Sequence, residues 1–247
     1  MRNISTIIVT FNPQYDALFP TIEKLLLSSN VIIIDNTPNT DSSELYNKKF
    51  SCGEFDFEYI PLYENKGIAY AQNIGFVEGI KNKSDFFVLL DQDSNVEEFF
   101  IRSLVKEYYA ALEHFKKIAV IGPTIINERN NIQDRTEISK SKNAINGIYE
   151  VDVLISSGSL IPVNALLEIG MNNSELFIDL VDFEWCYRAK YSGFNVLMSS
   201  NITMKHNVGL KDKKIWLGKH TTICSPFRLY YVFRNCIFTL KMKHVPL

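Results

Sequence analysis

The chain of 247 residues is 46% hydrophobic and 22% charged, a globular mixture that excludes a disordered or collagen-like polymer. Its 26 basic and 28 acidic residues leave a net charge of −2, so no overall basic field argues for a nucleic-acid partner, and a local phosphate site stays open. The four cysteines (Cys52, Cys186, Cys224 and Cys236) make no CxxC or His/Cys zinc spacing, and with no secretory signal after Met1-Arg2-Asn3 they fit a reducing cytoplasm.

In chain order, "STIIVTFNP" predicts a first strand over Thr6 to Thr10, stopped by a polar turn with Pro13. "ALFPTIEKLLLSS" predicts a helix, with Leu18, Ile22, Leu25 and Leu26 at helical spacing. "NVIIIDNTPNT" gives a second strand over Val31 to Ile34, and "FEYIPLYENKG" a third, weaker one. A helix follows from about Ile68, and its small residues Ala69, Ala71 and Gly75 suit close packing. "FFVLLDQDS" is the fourth strand, "VEEFFIRSLVKEYYAAL" a helix and "KIAVIGPTII" a fifth strand. Residues 127–150 read as a loop or hairpin. "VDVLISSGSLIPVNALLEIG" reads as a strand, a Ser-Gly turn and a helix beginning near Pro162. "DLVDFEWCYRAKYSGF" is a charged helix ending at Gly193, "NVLMSSNITMKH" adds a strand, and Pro226 to Lys243 form an aromatic, basic helix. No apolar run reaches the roughly 18 residues of a membrane-spanning helix. Alternating strands and helices, with nearly continuous apolar strands, predict an α/β fold on a mostly parallel sheet in one domain.

Ligands bind beyond the carboxyl ends of the strands in such sheets. Three of these ends carry polar residues: Thr10-Phe11-Asn12, Asp35-Asn36 and Asp91-Gln92-Asp93. Asp and Asn at a strand end are ordinary turn formers, but three together on one edge favour a site. Period two puts Asp91 and Asp93 on one side of the strand's exit, where two carboxylates repel unless a cation or a proton lies between them. A hard divalent metal and a solvated turn are both open readings. Neither a G-x-G-x-x-G nor a P-loop pattern occurs, which argues against a dinucleotide oxidoreductase and a P-loop ATPase.

These strand ends, together with "ENKGIAYAQNIG", "SSGS" and "FIDLVDFEWCYR", resemble inverting family 2 glycosyltransferases of the GT-A fold. "DFEWCYRAKYSGF" and "RLYYVFRN" are most similar to the bacterial rhamnosyltransferase branch, and the resemblance runs from about Thr6 to Asn235. It implies a nucleotide-sugar half over residues 1–125, an acceptor half over 126–225 and a C-terminal aromatic-basic helix over 226–247. It further implies that Thr10, Phe11, Asn12 and Asp35 contact the base and ribose, with Asn65, Gly67 and Asn73 near the nucleotide. Tight helix–sheet packing is the competing reading for Gly67, Ala69, Ala71 and Gly75. Asp93 is expected on a Mg2+ or Mn2+ ion, Asp91 near it and the ribose or sugar, and His206 completing the metal's shell. Ser157 and Gly158 are expected at the floor of the sugar pocket, with Trp185 against a sugar ring or in the core.

An inverting transfer needs one general base for the acceptor hydroxyl. "DLVDFEW" offers Asp179, Asp182 and Glu184; the resemblance favours Asp182, with Glu184 the competitor. Two apart on a helix, Asp182 and Glu184 cannot share a face, so one is the base and the other fixes a neighbour such as Arg188. The implied donor is a nucleotide-diphosphate sugar, dTDP-rhamnose above others, and the acceptor a cell-surface glycan, lipid-linked or not. The last helix can lie on the membrane's inner face through Arg228, Arg234, Lys241 and Lys243 with its aromatics, or pack on the body. The competing functions are a nucleotidyltransferase making sugar nucleotides and a non-catalytic sugar-nucleotide binder.

Overall fold

The structure, a computed structural model, describes residues 3–38, 56–127, 131–206, 211–214, 220–223 and 225–246. Cys52, Cys224 and residues 128–130 of the expected loop or hairpin lie outside the described residues. Cys186 and Cys236 are free thiols.

The first half is built as the apolar runs require. Strands β1 (Ile4–Thr10), β2 (Asn30–Asp35), β3 (Glu58–Pro61) and β4 (Phe86–Asp91) form a parallel block in the order β3-β2-β1-β4. Alternate residues face two separate cores. Ile4, Ile8, Val31, Ile33, Val88 and Leu90 pack against helices α1 (Tyr15–Leu26) and α3 (Phe100–Ala111). Ile7, Ile32, Ile34, Phe87 and Leu89 face the other layer, which includes α2 (Ile68–Lys81). The small residues of α2 do serve close packing: a Cβ on Gly75 would lie 2.4 Å from Cγ2 of Ile7.

β5 (Ile118–Asn127) joins the sheet through a short antiparallel strand, β9 (Leu160–Pro162), which lies between it and β4. The long strand β10 (Asn195–His206) pairs parallel with β5, with a register shift between Ser199 and Thr203. Segment 127–150 contains β6 (Ile132–Gln133), a short helix α4 (Thr136–Lys140) and a hairpin of β7 (Ala144–Ile145) and β8 (Ile148–Glu150). Asn146 and Gly147 both take positive φ, as a two-residue hairpin turn demands.

The strand expected over "VDVLI" is absent. Val151, Val153 and Leu154 are buried, but Val151 to Ile155 run as irregular chain. Burial alone produced the strand-like pattern there, and the chain next meets the sheet at the Ser156–Ser159 turn, where the Gly158 N–H donates to the Leu89 carbonyl of β4. α5 (Val163–Ile169) starts just after Pro162, α6 (Val181–Tyr191) carries the acidic segment, and α7 (Pro226–Thr239) is the last helix. α7 is capped by Ser225, whose Oγ accepts from the Arg228 backbone N–H, and Pro226 stands where no donor is lost. A separate ribbon of β11 (Lys211–Lys214) and β12 (His220–Ile223) completes the described elements.

Candidate active site

Parallel register brings the three polar strand ends to one edge. Thr10 lies beside Asp35 and Val9 beside Asp91. A bridge between Asn95 and Lys205 draws the end of β10 to the same place, delivering His206. Beyond this edge lies a cleft of about 650 Å³, closed on the far side by residues 177–183 and the first turns of α7.

Asp91, Asp93 and His206 can each turn one ligand atom into this cleft, and these atoms all lie within 4.8 Å of one another. Nε2 of His206 is 3.6 Å from an Asp91 oxygen, while its Nδ1 is buried without a hydrogen-bond partner. Burial pushes the Asp91 carboxyl above the ordinary range; His206 and Ser157 oppose the shift and the Asp93 carboxylate adds to it. Two oxygen donors and an imidazole with an orphaned nitrogen fit a divalent cation. The turn itself is fixed by Ser94 and Ser157, whose hydroxyls meet at 2.8 Å and both accept from the Asp91 N–H. Gln92, which the sequence left without a role, clamps the end of β1: its Oε1 accepts from the Phe11 N–H at 2.7 Å and its Nε2 donates to the Phe11 carbonyl.

Thr10 and Phe11 line the cleft beside Asn36, Asn65 and Gly67. The Asn36 side chain donates to Oδ1 of Asn65 and accepts from the Lys66 N–H, tying the Asn-x-Gly segment to β2. Gly67 has φ +82°, and a Cβ there would come within 2.6 Å of the Phe177 ring and carbonyl. Its role is therefore to seat Phe177, stacked in turn at 4.7 Å on Tyr231.

Asp182 faces the cleft from the first turn of α6. One carboxylate oxygen accepts from the Ser156 N–H at 3.2 Å, the other from Phe183 N–H at 3.0 Å. Burial raises its pKa to about 6 despite these two donors. Glu184 points elsewhere. Its side chain is 2% exposed and outside the cleft, held by a two-pronged ion pair with Arg188 and by His244 Nε2 at 2.7 Å. Asp182 thus faces the cleft and Glu184 fixes Arg188, on different faces of α6 as a spacing of two requires.

Several residues expected at the site lie behind its walls. Asp35 is 1% exposed; one oxygen accepts from the Thr37 N–H and hydroxyl, the other from the Tyr15 and Tyr59 hydroxyls. Thr37 passes this order on, accepting from the Asn12 N–H at 2.8 Å, so Asp35 shapes this end of the cleft without lining it. Asn73 clamps Asn172 and Ser174, Trp185 donates its indole N–H to the Gly170 carbonyl, and Gly158, at φ +82°, packs on Pro123 and Met204. Ser157 does line the cleft. Arg228, one of the basic residues offered to a membrane surface or to packing on the body, reaches into the cleft and pairs with Asp179. A lone arginine one turn into a helix gives no local sign of such a partner.

The sequence profile described as "Glycosyl transferase family 2" matches residues 5–167. The dTDP-rhamnosyl transferase RfbF of Shigella flexneri is 31% identical over 259 residues, covering 99% of this chain and 82% of that protein. Among solved structures, GalNAc-T7 with UDP, GalNAc and Mn2+ gives a TM-score of 0.65 at 16% identity, over 85% of this chain and 45% of that one. The mannosyltransferase PcManGT of Pyrobaculum calidifontis with GDP-Man and Mn2+ also gives 0.65, at 12% identity, over 85% of this chain and 59% of that one. The chain thus spans about half the length of these two structures, and at such identities the likeness carries the fold.

Proposed function

The chain belongs to glycosyl transferase family 2, and we propose that it transfers L-rhamnose from dTDP-rhamnose, with inversion, to a hydroxyl of a cell-surface glycan. Family membership sets aside the nucleotidyltransferase, and an intact set of candidate catalytic groups argues against a non-catalytic binder. One observation carries the reading: the Asp91, Asp93 and His206 cluster shares a cleft with Asp182, a carboxylate raised to about 6.

Asp182 is ionised at neutral pH yet close enough to it to accept a proton from an acceptor hydroxyl. The hydroxyl oxygen attacks C1 from the face opposite the diphosphate, its proton passes to Asp182, and the bond from C1 to the diphosphate oxygen breaks. One displacement inverts C1. Asp91, Asp93 and His206 would hold the cation, and the imidazole favours Mn2+ over the oxygen-preferring Mg2+. A bound divalent ion supplies positive charge that stabilises the departing diphosphate. Gln92 and Asn36 keep the nucleotide end of the cleft rigid through their backbone bonds.

The acceptor is proposed to be lipid-linked, met in the cytoplasm at the inner face of a membrane. Among the described residues no helix is long and apolar enough to cross one. α7 nevertheless turns Tyr230, Phe233 and Ile237 outward, each more than 60% exposed, with Lys241 and Lys243 following. Apolar and basic residues side by side suit an anionic lipid surface.

Calorimetry tests the site. dTDP-rhamnose is expected to bind in the presence of Mn2+, and Asp93→Ala to abolish the metal-dependent part with the fold intact. Unchanged affinity in Asp93→Ala would show that the cation is held elsewhere.

A further inference from the structure

The wall of the cleft facing the strand ends is an irregular segment, Leu176 to Leu180, between a short 3-10 turn (Ser174–Leu176) and α6. Phe177, Asp179 and Leu180 have φ of +64°, +65° and +61°. None is glycine, and such strained conformations persist only where the surroundings hold them in place. Such a wall needs an external brace.

α7 provides it. Asn235 is fully buried, and its amide nitrogen donates to three carbonyls of the segment: Leu176 at 2.8 Å, Ile178 at 2.9 Å and Asp179 at 2.8 Å. Two amide hydrogens are shared among three acceptors. The orientation of the amide is fixed from its other side, because Oδ1 accepts from the Arg234 guanidinium at 2.7 and 2.9 Å. A flipped amide would set nitrogen against guanidinium and oxygen against carbonyls. Arg234 also donates to the carbonyls of Glu175 and Leu176 and lies over the Tyr231 ring.

We propose that Asn235 is a positioning residue for the transfer reaction: it holds the Leu176–Leu180 wall in its strained shape, and through that wall sets the position of Asp182. The proposal rests on the reading of Asp182 as the base. Leu180 is the residue before α6 and Asp182 the second residue within it, so relaxation of the wall toward ordinary φ shifts the entry of the helix. The same relaxation moves Asp179 away from Arg228. Asp91 ends β4 and Asp93 stands in the turn just after it, with no bond to Asn235 among those described, so nucleotide and metal binding should survive.

Asn235→Asp keeps the shape and the acceptor for Arg234 but turns an oxygen toward the three carbonyls; Asn235→Ala removes both functions. Both are assayed as the full chain for hydrolysis of dTDP-rhamnose, for dTDP affinity with Mn2+, and for the pH dependence of turnover. The expected result is a roughly 10- to 100-fold loss of kcat, the scale of a misplaced catalytic group, with dTDP affinity within about twofold. The acid limb of the pH profile should move as well. Wild-type turnover in either folded variant overturns the proposal, as does loss of turnover and dTDP affinity together in step with the folded fraction. Should neither variant fold, Arg234→Met, which frees Oδ1 but leaves the amide, decides on the same readouts. Asp182→Asn is run in parallel: if it stays active, the base assignment has failed. If it is dead while the Asn235 variants keep an unshifted acid limb, only the present inference has.

Discussion

Asp182 and Glu184 lie two residues apart on α6 in different surroundings, Asp182 facing the cleft and Glu184 paired with Arg188 and His244. Asp182→Asn keeps the shape and one acceptor but cannot take a proton, so kcat should fall at least ~10²-fold with donor affinity little changed. In the wild type, kcat/KM should fall about tenfold per pH unit below about 6, where the carboxylate is protonated. Stability moves the other way. A carboxyl raised above its ordinary value contributes no penalty at pH below the unfolded pKa and a full one once pH passes about 6. Asp182→Asn should therefore melt higher than wild type at pH 8, by an increment on the order of 3 kcal/mol, and the gap should close near pH 4. A melting curve unchanged at both pH values would show that burial does not strain this carboxylate. Glu184→Gln removes the charge opposite Arg188 and His244 in a buried pair, and should cost about 3 kcal/mol of stability while kcat of the folded protein stays within about twofold. A folded, inactive Glu184→Gln beside an active Asp182→Asn would transfer the base to Glu184.

Between elements, one contact sensitive to substitution joins the start of α2 to the wall of the cleft. Gly67→Ala puts a side chain where φ is +82° and where Phe177 already stands within 2.6 Å. The backbone term alone is roughly 1–3 kcal/mol. Phe177 must also leave its seat between Gly67 and Tyr231. The expected outcome is a melting temperature lower by several degrees and a turnover reduced about tenfold in protein that remains folded. Wild-type turnover in Gly67→Ala would mean that the seat of Phe177 is not needed for the reaction. Gly75 is constrained differently, by contact with Ile7, so Gly75→Ala should lower stability without this effect on turnover.

Across the whole molecule, the cleft proposed to take the donor is lined from both halves of the chain, from β1 at one end to α7 at the other. Ligand that binds only the folded state must then raise the melting temperature of the entire unit. At a hundred times Kd the gain is about 2.7 kcal/mol, roughly 5–10 °C for a chain of this size. A screen of dTDP, UDP, ADP and GDP with Mn2+ should rank dTDP highest, and chelation of the metal should remove most of the shift. Equal stabilisation by ADP would overturn the thymidine donor, and an undiminished shift after chelation would overturn the cation's part in binding it.

Local pattern determined much of this protein. Continuous apolar runs such as "VIIID" and "FFVLLD" specified parallel strands covered on both faces, and polar residues at their ends marked the ligand edge, because burial and element period are written into neighbouring residues. The order of motifs was sufficient to reveal the family. Tertiary structure decided what each polar side chain meets. Asp35 was turned inward to two tyrosine hydroxyls, one of them 24 residues away, and Trp185 was placed on a loop carbonyl instead of a sugar. Which of Asp182 and Glu184 turns to the cleft was set by packing of α6 against β10 and the C-terminal tail. Arg228 and Asn235 gave no local signal, since their partners lie 49 and 56 to 59 residues earlier in the chain. A hydrogen bond of that span is decided by where two elements come together, and no spacing within either element encodes it.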